Sequence, residues 1–147
     1  MSPKELREFI HELKTEIKGI NRAWLVIDDS QLVNTLEQRE KVDNAYIIGV
    51  LPSYGTRVKH NDAYKRTLIS QILILEKTDY SELTEDEFID VFERTYQLAK
   101  KVADKLVEKI SENCFSPELM LEIDDLDIVP VWKKGQCNGW SVEFSLE

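Results

Sequence analysis

Leu126-Asp127-Ile128-Val129-Pro130-Val131-Trp132, then Lys133-Lys134-Gly135-Gln136-Cys137-Asn138-Gly139, then Trp140-Ser141-Val142-Glu143-Phe144-Ser145-Leu146 carries more of the architecture than any other part of the chain. Trp140, Val142, Phe144 and Leu146 alternate with Ser141, Glu143, Ser145 and Glu147, which is the two-residue period of a half-buried strand. Leu119, Leu121 and Ile123 alternate upstream, and Leu126, Ile128 and Trp132 alternate again after a shift of phase. The polar segment between the arms ends in Asn138-Gly139, residues that tolerate positive φ. The spacing predicts a closing β-hairpin with Trp140, Val142, Phe144 and Leu146 on one buried face.

Working outward, Thr84-Glu85-Asp86-Glu87 is a capping box with carboxylates where a helix N-terminus favours them. Phe88, Val91, Phe92, Thr95, Leu98, Ala99, Val102, Ala103, Leu106 and Ile110 then hold one face of a long helix. Arg66 to Lys77 reads as a strand, buried on both faces across Ile72 to Leu75. Tyr46 to Leu51 is another strand, expected to end at Pro52-Ser53-Tyr54-Gly55. Ala23 to Ile27 is a third, with Asp28-Asp29-Ser30 as its turn, and Gln31 to Asn44 is polar and open to loop, short helix or strand.

Ser2-Pro3-Lys4-Glu5 is a second capping box, with proline at the first helical position. Leu6, Phe9, Ile10, Leu13, Ile17 and Ile20 follow it as a helical stripe that stops near Gly19. The order is α-β-β-β-α-β-β. This predicts one α+β domain over residues 1–147, with a mainly antiparallel sheet and an N-terminal and a long helix packed on it.

With 147 residues and a formal charge of −9, the chain is large enough for a core and too acidic to coat nucleic acid by phosphate neutralisation. An acidic lumen would instead let DNA pass without sticking. The longest apolar run, Ala45 to Leu51, falls far short of the roughly 20 residues of a membrane span. The opening residues lack a signal-peptide pattern. A soluble cytoplasmic product is expected, with Cys114 and Cys137 reduced.

Chemistry is sparse. Asp124, Asp125 and Asp127 invite a hard cation, but their spacing is not that of a calcium loop and a solvated bulge explains them. His11 and His60 lack a ligand set, neither cysteine has the context of a nucleophile, and the five glycines form no phosphate loop. No catalytic, cofactor-binding or metal-binding residue is assigned, and no enzyme is expected. The stronger lead is the basic stretch Arg57, Lys59, His60, Lys65 and Arg66, a hairpin loop or extended arm on an acidic chain. In a head-to-tail ring it would meet an acidic surface of the next subunit, for which Asp79 to Glu93 is one choice.

A first helix, a three-strand meander with a long loop, a long helix and a closing hairpin resemble the small ring-forming proteins at the head-to-tail junction of tailed bacteriophages, in particular tail terminators. Leu126-Asp127-Ile128-Val129-Pro130-Val131 with Gly139-Trp140-Ser141-Val142-Glu143-Phe144-Ser145-Leu146 resembles the ends of small tail and neck proteins of Bacteroidetes phages. The resemblance implies a structural virion protein that assembles in the host cytoplasm into a ring. The ring would be hexameric, would cap the tail tube or sit at the neck as a connector, and would need no cofactor. Its sheets would face the lumen or join between subunits, and its partners would be its own copies, tail-tube or connector proteins and passing DNA. Two alternatives stand beside it. One is an acidic cytoplasmic binding or inhibitor module; the other is a small metal-dependent hydrolase built on Asp124, Asp125 and Asp127.

Overall fold

The computed structural model describes residues 1–37, 45–60, 63–78, 80–115, 117 and 121–147. Helix α1 (Pro3–Glu16) starts at Ser2, whose hydroxyl accepts from the Glu5 amide while the Glu5 carboxylate takes the Ser2 amide. Its stripe Leu6, Phe9, Ile10 and Leu13 is fully buried, each side chain contributing about 1.5 to 3 kcal/mol by leaving water. Strand β1 (Ile20–Val26) follows.

The segment after β1 differs from the sequence reading. Asp28 does not end a simple turn: its Oδ1 accepts from the Gln31 amide at 3.0 Å, and Gln31 Oε1 accepts from the Ile27 amide at 2.6 Å. These reciprocal bonds open helix α2 (Asp29–Glu37), which settles the first half of the undecided stretch. Residues 38–44 lie outside the described residues. Because α2 intervenes, β2 (Ala45–His60) lies parallel to β1, so the first three strands are not a meander.

Strand β2 also runs past the expected stop at Pro52. The register with β3 (Ala63–Lys77) shifts between Val50 and Ser53, and Pro52 sits in that irregularity, where its missing N–H breaks no ladder bond. A 3₁₀ turn at Tyr80–Glu82 leads to α3 (Glu85–Ser111), capped by Thr84. Its 27 residues span about 40 Å at 1.5 Å per residue. Strands β4 (Ile123–Lys134) and β5 (Cys137–Leu146) form the closing hairpin.

The architecture is α+β: one five-stranded sheet in the order β1-β2-β3-β5-β4, antiparallel except for β1 with β2. One face carries α1 and α3 over Ile47, Leu68, Ile72, Ile74, Val142 and Phe144. The indole Nε1 of Trp140 donates to the Phe92 carbonyl at 2.9 Å and its ring meets Phe92 and Tyr96, which fastens α3 to the hairpin. Arg94 adds a two-pronged contact from α3 to Glu76 of β3. On the opposite, outer face, Leu32 and Leu36 of α2 cover Val26, Tyr46, Ile48, Leu73 and Leu75.

Two details of the hairpin correct the sequence reading. The turn is the pair Gly135-Gln136, both with positive φ as a tight hairpin demands, so Asn138-Gly139 belongs to β5 and not to the loop. Trp132 is 63% exposed, because the β4 register breaks between Val131 and Lys134 and its side chain leaves the buried series. The shift of alternation near Asp124 is a real irregularity, between Ile123 and Asp125.

Candidate functional site

The pairing of β2 with β3 continues beyond the edge of the sheet. β5 first meets β3 at Leu68, whereas β2 and β3 stay paired from Ser53 with Ile69 out to His60 with Ala63. Beyond Leu68 the result is a two-stranded ribbon, Gly55 to His60 against Ala63 to Thr67, roughly 20 Å long at about 3.3 Å per residue. Between Ser53 and His60 and between Ala63 and Thr67 it holds arginine, lysine and histidine and no carboxylate.

The ribbon brings together four of the five basic residues singled out in the sequence. Arg57 lies directly opposite Lys65, and Arg66 lies opposite Thr56. Arg57, His60, Lys65 and Arg66 are all exposed. Lys59 falls in the same strand, but its side chain lies outside the described residues.

Lys65 is committed within the chain. Its Nζ donates to Glu147 Oε2 at 2.6 Å, and that hydrogen bond, helped by the charges of Glu147, Asp124 and Glu122, holds the ammonium above its ordinary pKa. Among the described residues no carboxylate lies within ion-pair distance of Arg57. At the base of the ribbon a largely apolar cleft of about 500 Å³ opens between Met1, Tyr54, Arg66, Leu68, Leu121 and Leu146. Tyr54 pins the ribbon there, its hydroxyl donating to the Met1 carbonyl at 3.0 Å.

A second feature was not singled out from the sequence. Helix α2 covers only part of the outer sheet face and leaves Ile69 60% exposed and Val129 37% exposed. On that open half Asp127 stands directly opposite Glu143, and Asp125 opposite Ser145. The turn Gly135-Gln136 sets this register, and like charges directly opposite one another repel. Asp125, Asp127 and Glu143 are exposed, and no cation lies within ion-pair distance of them among the described residues. Asp124, the extra residue of the irregularity, accepts from the Ser145 hydroxyl at 3.5 Å.

The remaining candidates scatter. Among the described residues no group of three His, Cys, Asp or Glu side chains converges as a metal site, so Asp124, Asp125 and Asp127 do not form one. His11 is exposed on α1, far in sequence from exposed His60 on the ribbon. Cys137 is buried, and that burial pushes its thiol up to about 12. Such a thiol is not a nucleophile at neutral pH. Cys114 is exposed beside Glu112. Asp79 lies outside the described residues; Glu85, Asp86 and Glu87 occupy the first turn of α3, where Thr84 Oγ1 accepts from the Glu87 amide. No helix among the described residues is long and apolar enough to cross a membrane. No protein-family model and no curated protein matches the chain.

Proposed function

We propose that this protein is a structural ring subunit at the head-to-tail junction of a tailed bacteriophage, similar to a tail terminator or a neck connector, and that it acts without catalysis or cofactor. The observation that carries the reading is the projecting ribbon: a basic two-stranded arm on a chain of net charge −9. A globular monomer gains no stability from extending such a ribbon past its own core. A subunit that must reach its neighbour does, because the arm turns a compact body into a piece with a reaching end and a receiving surface.

A ring of these subunits, hexameric by the resemblance, would present acidic surface to passing DNA and would dock on tail-tube or connector proteins in the virion. Native mass spectrometry and electron microscopy at low salt are the test. Closed rings, formed alone or with tail-tube protein, are the expected result. A chain that stays monomeric in both settings would refute it. The exposed carboxylates of the outer sheet face favour a second reading, an acidic module that occupies a basic site on another protein; its signature would be a monomer that binds a cationic partner one to one.

A further inference from the structure

The open half of the outer sheet face is where charge and exposure combine without an intramolecular answer. We infer that this face, Asp125, Asp127 and Glu143 bordered by Ile69 and Val129, receives the basic ribbon of a second copy of the chain; the inference rests on the self-association proposed above. The Asp127–Glu143 pair brings two carboxylates side by side across a ladder, which costs stability in an isolated subunit. On the ribbon Arg57 stands directly opposite Lys65, whose ammonium Glu147 already holds, so the Arg57 guanidinium is the cation left for a partner. Each arrangement is the counterpart of the other.

One molecule cannot satisfy both. Lys65 pairs with Arg57 and Gln71 with Glu143, and the six steps along β3 from Lys65 to Gln71 place the two pairs about 20 Å apart at about 3.3 Å per residue. That exceeds the reach of side chains in direct contact. It also exceeds the screening length of about 8 Å at physiological salt. The rigid ladder on both sides prevents the ribbon from folding back onto its own sheet.

Between copies the match is direct. The planar guanidinium of Arg57, whose fork of donors suits carboxylate oxygens, would bridge Asp127 and Glu143. Exposed Ile69 and Val129 would lose water beneath the ribbon. Because donor and acceptor are different surfaces of one chain, the contact is head-to-tail, and an open run of copies keeps one free arm at one end and one free face at the other until a ring closes. The acceptor is thus the sheet, in place of the acidic start of α3.

Two charge reversals test this: Arg57→Glu on the ribbon and the double change Asp127→Lys with Glu143→Lys on the face. Native mass spectrometry and sedimentation would be run between about 0.01 M and about 1 M salt, over which the screening length falls from about 30 Å to about 3 Å. Wild-type association should weaken as salt rises, and each reversed chain should associate about tenfold or more weakly than wild type at low salt. Mixing the two reversed chains should restore association beyond the dimer, since the intact arm of one meets the intact face of the other and the reversed arm meets the reversed face with opposite charge. Circular dichroism melts would check folding, with Asp127→Asn and Glu143→Gln as the gentler pair if the lysine changes prevent it. Wild-type assembly that is indifferent to the face changes but lost with Arg57→Glu would overturn the sheet acceptor alone. A wild-type chain monomeric at every salt concentration would overturn the self-association reading and the acceptor together.

Discussion

Gly139→Ala is the sharpest probe of how the hairpin is built into the sheet. Gly139 lies in β5 between Leu75 of β3 and Val131 of β4. A Cβ added there would sit 2.0 Å from the Ile74 carbonyl oxygen, 3.1 Å from its carbon and 3.2 Å from Leu75 Cα. Side-chain rotation cannot relieve a clash with backbone, so β3 and β5 would have to part by about 1.4 Å to reach an ordinary contact of 3.4 Å. Overpacking costs about 1 to 3 kcal/mol. Each ladder bond weakened by the separation adds roughly 1 kcal/mol. A total near 3 kcal/mol, set against an unfolding entropy of about 2.1 cal/mol/K per residue, lowers the melting temperature by about 10 °C. Gly55→Ala is the control in the same sheet, because its Cβ meets only the Thr67 hydroxyl, at 2.8 Å, which can rotate away. It should stay within about 1 kcal/mol of wild type. Thermal and urea melts of both variants decide the matter, and a Gly139→Ala melt within about 3 °C of wild type would refute the close backbone approach.

Trp140→Ala should cost about 3 kcal/mol or more by urea unfolding, since the ring packs on Phe92 and Tyr96, whereas Trp140→Phe should cost about 1 to 2 kcal/mol, chiefly by leaving the Phe92 carbonyl without its donor. Equal losses for the two variants would show that the indole nitrogen contributes nothing. A thiol reagent at about pH 8 should modify exposed Cys114 in the folded protein and reach buried Cys137 only on unfolding. The Cys137 thiol stands near 12 in the fold against an ordinary 9.0, so its contribution is fully present below pH 9.0 and is lost as pH rises toward 12. Unfolding free energies of wild type and Cys137→Ala should therefore converge between those limits, and a gap that stays constant would contradict the buried neutral thiol.

Most of the frame was legible because it rests on periodicity and caps. The Leu6, Phe9, Ile10 and Leu13 stripe, the Thr84 cap and the Trp140 to Leu146 alternation are local patterns, and each lies where its period places it. Helix α2 was hidden because nine residues with only Leu32 and Leu36 fully buried give a weak helical period, although Asp28 followed by Gln31 three residues on was a usable start signal. The parallel pairing of β1 with β2 depended on that helix and was lost with it. Pro52 misled for a different reason: a proline ends a strand only where its N–H is needed, and a register irregularity removes the need. The ribbon's basic residues were visible as composition, but the carboxylate face was not. Whether Asp127 meets Glu143 depends on a turn two residues long rather than seven, which is a matter of one register.

The placement of charge also bears on how such a sheet associates. β1 and β4 are the free edges of the five-stranded sheet, and a free edge invites another strand. β4 carries Pro130 together with Asp124, Asp125 and Asp127, and its register is interrupted near both ends. β1 has only seven residues and a register shift at its start. Short, irregular, charged and proline-bearing strands resist edge-to-edge growth. Joining subunits by continuing the sheet is therefore the poorer route, and contacts through side chains on the ribbon and the open face are the better one. Such contacts are individually weak and sensitive to salt. A closed ring suits them, because closure engages every arm and every face at once and leaves no end from which to dissociate.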